Sequence, residues 1–293
     1  MHCWIARLLL IVMAWAGSLS AESRVLILVG PSNHPPGTHE VEAGGMLLAW
    51  ALEHMDNVPG MQAEVHTTWP GEKALERADG VVFIGDVFPL QRWPDKEANL
   101  AALGRLLARG KGIVCLHYAT GLRKEDVGEN GEHPLLGWLG GYFATGGATH
   151  HRGVARVMKN VTVQPATVQP ATAHPVTRGW KAFTLDDEPY FKNYFGPNGN
   201  QPGPGVSILA TAQLPPEAPQ REAVAWSVER ADGGRGVGIV MPHFFANWGL
   251  PYLRRFILNA VVWAVKREVP AGGVAGPAPD LGAFGAGELG KRY

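Results

Sequence analysis

The chain has 293 residues, in which 26 lysine and arginine side chains balance 26 aspartate and glutamate side chains. Because no basic stripe or block of like charge appears along the sequence, we expect no nucleic-acid partner and no anionic-membrane partner. Of the two cysteines, Cys3 lies in a segment expected to be removed, so Cys115 has no partner for an internal disulfide.

Both ends of the chain are predicted to lie outside the folded domain. Residues 1–21 have the layout of a secretory signal peptide, with Arg7, an apolar run over residues 8–16 and then small residues. That run is too short for a typical membrane-spanning helix, so we expect a secreted or periplasmic protein with no membrane partner after signal cleavage. Residues 270–293 are rich in glycine, alanine and proline, which predicts a flexible tail after a single domain over residues 22–269.

The first half of that domain alternates between strands and helices. Buried apolar runs predict the strands, and apolar residues at helical spacing predict the helices, the first of them with Thr38 as its N-cap. This alternation indicates an α/β fold with a doubly wound, mostly parallel sheet. The strands are predicted over residues 24–30, 62–66, 80–84 and 112–116, and the helices over residues 40–55 and 98–109.

The second half of the domain is less regular. Residues 163–172 repeat the unit VQPAT, whose prolines indicate a loop expansion and not a repeat architecture. Asp232, Gly233 and Gly234 form a predicted hairpin turn between the last two strands. Strands are predicted over residues 152–163, 206–210, 223–228 and 236–241, with a glycine-rich apolar segment over residues 135–143 and a final buried helix over residues 253–265.

The segment GKGIVCLHYATG, residues 110–121, carries the most informative functional signal. It reads as a buried strand that breaks at His117, and the carboxyl end of such a strand faces the ligand cleft of an open α/β sheet. The chemistry is therefore expected to involve an imidazole. Cys115 lies inside the strand and is interpreted as an inert buried thiol.

Other polar side chains also follow strands or lie in glycine-rich loops, which gives them a route to the same cleft. Histidine and glutamate together suit general acid–base catalysis near neutral pH, and they also suit a divalent metal site. The sequence contains no HExxH or paired CxxC spacing, so both alternatives stay open. The four sets are His34, His39 and Glu40; His117 and Tyr118; Asp187, Glu188 and Tyr190; and His243.

Several histidines, including His34 of the first set, are expected to be hydrogen-bonded structural residues, since an isolated histidine has that role more often than a catalytic one. Ten tryptophans, several of them beside glycine or proline, either stack on a flat ligand or fill the core. The structural histidines comprise His34, His133 and His174 in loops, His54 on a helix and His66 on a strand.

Taken in order, these segments resemble the ThuA-like (trehalose utilisation) family, which is related in fold to the class I glutamine amidotransferases. The resemblance implies a flavodoxin-like or amidotransferase-like sheet, with His117 at the elbow where the amidotransferases carry a catalytic cysteine, so it does not imply a glutaminase. It also implies that Glu188, Tyr190 and His243 are pocket residues, and that His39 and Glu40 correspond to the histidine-glutamate pair of the family's first loop. The matching segments are LVGPSNHPPGTHE, GKGIVCLHYATG, LGWLGGYF, HPVTRGWKAFTLDDEPYF, ERADGGRG, MPHFFANWG and LRRFILNAVVW.

The resemblance implies an enzyme that breaks down a disaccharide or keto-sugar by hydrolysis, isomerisation or elimination. His117 or Glu188 would be the base and His243 the acid, or a divalent metal ion on His39, His117 and His243 would polarise a carbonyl. The alternative is a non-catalytic sugar-binding or accessory protein, and both alternatives leave a homo-oligomer open. The side chains expected to contact the sugar are Tyr118, Tyr190, Asp187 and Trp248.

One segment departs from the family pattern. After GGYF the chain continues ATGGATHHRG, where the family carries a stretch with a histidine and aromatic residues. Whether His150 or His151 takes the place of that histidine stays open.

Overall fold

The computed structural model describes residues 22–166 and 174–285. The predicted signal peptide, part of the VQPAT duplication and residues 286–293 lie outside this range. The described strands are β1 Ser23–Val29, β2 Met61–His66, β3 Gly80–Ile84, β4 Gly112–Leu116, β5 Gly121–Leu122, β6 Phe143–Ala144, β7 Val154–Ala155, β8 Met158–Pro165, β9 Phe183–Asp187, β10 Tyr190–Phe191, β11 Val206–Leu214, β12 Gln220–Glu229 and β13 Arg235–Ile239. The described helices are α1 Val41–Glu53, α2 Glu72–Arg77, α3 Lys96–Leu107, α4 Pro134–Leu139 and α5 Pro251–Ala264. None of these described helices combines the length and the apolar character that crossing a membrane requires.

Nine of the described strands form one sheet in the order β2-β1-β3-β4-β13-β12-β11-β8-β9. The first five strands in this order, β2, β1, β3, β4 and β13, run parallel to one another. Their order in the sheet is that of a flavodoxin-like fold. The remaining four strands pair antiparallel and extend the sheet beyond β13. The predicted doubly wound α/β class is therefore confirmed, as is the hairpin between β12 and β13.

The parallel half forms because its strands are continuous apolar runs. Every residue of β3 and β4 is buried, as expected for strands that are covered on both faces. Two glycines allow close packing of the flanking helices. A Cβ on Gly112 would lie 2.5 Å from the Ala264 carbonyl oxygen of α5, and a Cβ on Gly45 of α1 would lie 2.6 Å from the Val29 side chain.

Two local predictions differ from the structure. The hydroxyl of Thr38, the expected N-cap of the first helix, donates to the Pro35 carbonyl oxygen, and α1 begins at Val41. The sequence also does not predict β9, in which buried and exposed residues alternate. Acidic residues are depleted in strands, so the two aspartates of the segment FTLDD do not indicate a strand, although the segment forms a half-buried edge strand.

The predicted flexible tail is wrong for residues 270–285, which pack against the domain. Val274 is buried, and its backbone N–H donates to the side chain of Asn259 on α5. The Asn57 side chain donates a hydrogen bond to the Gly273 carbonyl oxygen and accepts one from the Ala275 N–H, on either side of Val274. Backbone groups held in this way fix a segment whose glycine-rich composition gives no sign of order.

Asn259→Ala is expected to lower the free energy of unfolding by about 2–4 kcal/mol, because several buried groups lose their hydrogen bonds. The Asn259 side chain donates to the Val176 and Arg178 carbonyl oxygens and accepts the Val274 N–H. Urea denaturation of the full chain measures the change. The exposed Asn198→Ala, far from this segment, is the control, with an expected change below about 0.5 kcal/mol. Equal stability of Asn259→Ala and the parent chain would contradict this anchoring role.

Candidate functional site

Three imidazoles meet at the carboxyl ends of the parallel strands. His39 lies in the loop after β1, His117 directly follows β4, and His243 lies in the loop after β13. Nε2 of His117 lies 2.8 Å from Nε2 of His39 and 3.1 Å from Nδ1 of His243. Nε2 of His39 lies 2.9 Å from the same Nδ1. All three residues are buried, and we call them the histidine cluster.

Backbone contacts between two loops hold His39 and His243 together. The His39 N–H donates to the His243 carbonyl oxygen at 2.9 Å, and the Phe245 N–H donates to the Gly37 carbonyl oxygen at 3.0 Å. His39 and His117 have φ angles of 36° and 47°, a left-handed conformation that is uncommon for residues other than glycine. Such conformations persist where the surroundings impose them, and they concentrate at functional sites.

Hydrogen bonds on the outer sides of two rings assign their tautomers. Nδ1 of His39 bonds to the Asp86 carboxylate, and Nδ1 of His117 bonds to the Val240 carbonyl oxygen at 3.0 Å. Both Nδ1 atoms therefore carry the proton, and in a neutral ring the Nε2 atom is then unprotonated. The two Nε2 lone pairs face each other across 2.8 Å, which is repulsive unless a cation or a hydrogen-bond donor lies close to them.

Burial favours the neutral form of each ring in the histidine cluster. It lowers the pKa of His117 well below its ordinary value, and His39 reinforces the effect. Burial also lowers the pKa of His243 to about 4, with further contributions from His39 and His34. The pKa of His39 is lowered by burial as well, although Asp86 opposes the shift. Near neutral pH the cluster is therefore uncharged and offers lone pairs to a cation.

Glu188 and Tyr190 stand beside the histidine cluster, as the sequence predicts. Oε2 of Glu188 lies 3.3 Å from Nδ1 of His243 and 4.0 Å from Nε2 of His117. Burial raises the pKa of the Glu188 carboxyl, which moves it towards the range where a group exchanges protons readily at neutral pH. The Tyr190 hydroxyl lies 2.9 Å from Nε2 of His117.

The expectation that Asp187 binds substrate is wrong, because its side chain is fully buried. Its Oδ1 accepts the backbone N–H of His243 at 2.8 Å and that of Phe244 at 3.4 Å. Burial raises the pKa of Asp187 to about 7 in spite of these hydrogen bonds. Since β9 is the edge strand of the sheet, this carboxyl ties that edge to the His243 loop.

Asp86 belongs to the site although the sequence did not assign it there, and His34, which was expected to be a structural histidine, joins it. Asp86, which follows β3, accepts hydrogen bonds from His39 and from Nδ1 of His34 at 2.9 Å. Burial alone would raise the pKa of Asp86, but bonds from His39, the Asn33 backbone and His34 lower it to about 2. His34 stacks on the His39 ring with centroids 3.6 Å apart. The signal for Asp86 is its position after a strand, the criterion that also selects His117.

A small cavity lies against the histidine cluster and the first turns of α1. Its volume of about 20 Å³ has room for about one water molecule. Trp248 forms part of its wall, is only 4% exposed and packs its indole on Gly44, so the expectation that this ring stacks on a sugar is wrong. Tyr118 also lines the cavity and remains partly exposed, which leaves its ring available to a ligand.

The other histidines considered from the sequence lie outside the histidine cluster. The side chains of His133 and His174 accept backbone N–H groups at the starts of α4 and of a short 3-10 turn, which confirms their structural role. His150 bonds to a tyrosine hydroxyl, and His151 bonds to a backbone carbonyl oxygen. Neither of these two is among the converging side chains.

The arrangement of donors fits a divalent metal ion. His39, His117, Glu188 and His243 each offer one ligand atom, and these atoms lie within 4.8 Å of one another. Imidazole and carboxylate donors are typical of zinc and related metals. Metal-binding histidines usually donate their other ring N–H to a carboxylate or a backbone carbonyl, and the outer hydrogen bonds of His39 and His117 follow this pattern.

Comparisons with known proteins agree with this architecture. The family model described as ThuA, trehalose utilisation, matches residues 24–264. A putative ThuA-like protein from Bacteroides uniformis has a TM-score of 0.60 and 16% sequence identity, covering 86% of this chain and 94% of that chain. A putative ThuA-like protein from Parabacteroides merdae has a TM-score of 0.55 and 15% identity, covering 88% and 98%. These two likenesses show a shared fold, and no curated protein sequence matches the chain.

Asp187→Ala is expected to lower the free energy of unfolding by about 2 kcal/mol, because two buried backbone N–H groups lose their acceptor. Asp187→Asn retains an acceptor oxygen of the same shape and is the matched control, so we expect it to lose less than half as much. Urea unfolding of both variants at one fixed pH measures the difference. If Asp187→Ala is as stable as Asp187→Asn, the carboxyl does not tether the His243 loop.

Proposed function

The chain belongs to the ThuA (trehalose utilisation) family, and we propose that it is an exported, metal-dependent enzyme that hydrolyses or isomerises a disaccharide or keto-sugar. The observation that carries the proposal is the 2.8 Å approach of two unprotonated nitrogens, Nε2 of His117 and Nε2 of His39. Two buried lone pairs held face to face cost free energy unless a cation or a donor uses them, and a divalent cation can use both at once. The family name supports a sugar substrate, and the signal-like residues 1–21 support export.

His39, His117 and His243 would hold the ion through their clustered nitrogens, with Glu188 at its edge. When bound, a divalent ion polarises a carbonyl or hydroxyl oxygen, or lowers the pKa of a coordinated water molecule. The outer hydrogen bonds of His39 and His117 prevent rotation of these two rings and keep their Nε2 atoms aimed at one point. Because burial keeps these rings neutral, we assign His117 and His243 as ligands and not as free acid–base groups.

Glu188 moves the protons in this proposal. Its side chain retains 20% of its exposed surface, so it reaches both the histidine cluster and an incoming substrate. The raised pKa of this carboxyl suits a group that takes up and releases a proton in each turnover. It would take a proton from water or from a carbon beside a sugar carbonyl, and return it to a departing or newly formed hydroxyl. The Tyr190 hydroxyl would orient the substrate oxygen near His117.

The alternative function, non-catalytic sugar binding, does not require histidines and a carboxylate to converge. A binding protein leaves such groups scattered and lines its groove with aromatic rings. Here Glu188 lies within 4.0 Å of nitrogens from both His117 and His243. This convergence favours an enzyme.

Glu188→Gln is expected to reduce turnover by about 10²–10⁴-fold, because glutamine keeps the shape of glutamate but cannot take up the proton. The zinc-loaded chain is assayed with trehalose, maltose, cellobiose and their keto derivatives, and chromatography of the products separates hydrolysis from isomerisation. Zinc content should remain unchanged in the variant.

Glu217→Gln is the matched control for this experiment, since it changes an exposed glutamate that pairs with Arg156. It should retain full activity. Unchanged turnover in Glu188→Gln would refute the role of Glu188, and no turnover of any of these sugars by the zinc-loaded parent chain would argue against the proposed function.

A further inference from the structure

A second, larger cleft opens at the same end of the sheet. It is lined by the loop after β1, the first turn of α1, Thr67 after β2 and Trp93 after β3. Because β1 lies between β2 and β3 in the sheet, the connections that follow β1 and β3 leave the sheet at the point where the strand order reverses. Ligands of open α/β sheets bind in the crevice at such a point.

The cleft adjoins the histidine cluster. His34 and His39 line it, and His39 also lines the small cavity at the cluster. The cleft has a volume of about 550 Å³, within the range of about 300–1,000 Å³ that is usual for small-molecule sites. The small cavity, at about 20 Å³, has no room for a sugar ring. A sugar that reaches the cluster therefore has the cleft available for the rest of the molecule.

The walls of the cleft carry the groups that bind a carbohydrate. Trp93 is half-buried, and its ring stands edge-on to Trp69 with centroids 6.3 Å apart, which fixes its orientation. An indole with a partly exposed face can stack on the apolar face of a sugar ring. Ser32 and Thr67 bring hydroxyl groups to the lining, and Glu42 brings an exposed carboxylate.

The negative charge of the cleft lining disfavours ligands that carry a phosphate group. Glu40 and Glu42 both contribute carboxylates to the cleft. Carboxylates repel a phosphate group but accept hydrogen bonds from sugar hydroxyls. The lining therefore favours a neutral glycoside over a sugar phosphate.

We propose that this cleft binds the second, non-reacting ring of a disaccharide, with Trp93 as its stacking platform and Glu42 as a hydroxyl acceptor. The inference rests on the proposed function, since it takes the histidine cluster as the reacting point. It makes the substrate a neutral disaccharide or longer glycoside and not a free monosaccharide.

Calorimetric titration of the full zinc-loaded chain with trehalose, maltose, cellobiose, glucose and glucose 6-phosphate tests this inference. We expect at least one disaccharide to bind roughly tenfold or more tightly than glucose, and glucose 6-phosphate to bind more weakly than glucose. Trp93→Ala should remove most of the disaccharide advantage and leave glucose binding unchanged. Trp50→Ala removes a half-buried indole that stacks on His54 outside the cleft, and as the matched control it should bind like the parent chain.

Two results would overturn the inference: no disaccharide binds more tightly than glucose, or Trp93→Ala binds the disaccharide as tightly as the parent chain. The unfolding midpoint of each variant verifies that it folds. Zinc content is measured on the same samples, so that a failure of the proposed metal-dependent function can be distinguished from a failure of the cleft inference. Disaccharide binding that depends on Trp93 in a chain that holds no zinc would support the cleft and contradict the metal-dependent enzyme.

Discussion

The site depends on one constraint, which is that two imidazole nitrogens without protons are held 2.8 Å apart in the interior. Asp86 and the Val240 carbonyl oxygen fix the proton of each ring on its outer side, and burial keeps both rings neutral. The rings cannot relieve their repulsion by rotating without losing those outer bonds. In the proposed function, His39 and His117 would use these lone pairs to hold a divalent cation, and the close approach of the two nitrogens would then be favourable.

The sheet topology produces this constraint. β3, β4 and β13 are neighbours, with β1 next to β3, so the segments that follow these strands emerge side by side at one edge. The antiparallel extension also contributes, because Asp187 at the end of β9 bonds the backbone of His243. The fold thus supplies the clustered histidines from one part of the sheet and a tether for the His243 loop from its other edge. In the proposed function, the histidine cluster would carry out the reaction, and the more open cleft at the point of strand reversal would bind the rest of the substrate.

Sequence reasoning reached the parallel strands and the three converging histidines because both follow from local patterns. Apolar runs mark buried strands, and a polar residue directly after such a strand faces the ligand edge. Residues whose roles depend on distant partners were harder to assign. Asp86 becomes a site residue, and His34 proves more than the expected structural histidine, through contacts with His39 and with each other. Asp187 turns inward because the His243 loop needs an acceptor. The ordered segment over residues 270–285 depends on long-range backbone hydrogen bonds that composition does not reveal.

Metal analysis of the purified protein tests the central claim most directly, together with a variant in which His39, His117 and His243 are all changed to alanine. The account predicts a stoichiometric divalent ion that survives dialysis in the parent chain and is lost in the triple variant. A parent chain that stays free of metal after incubation with zinc, or a triple variant that retains the ion, would contradict it.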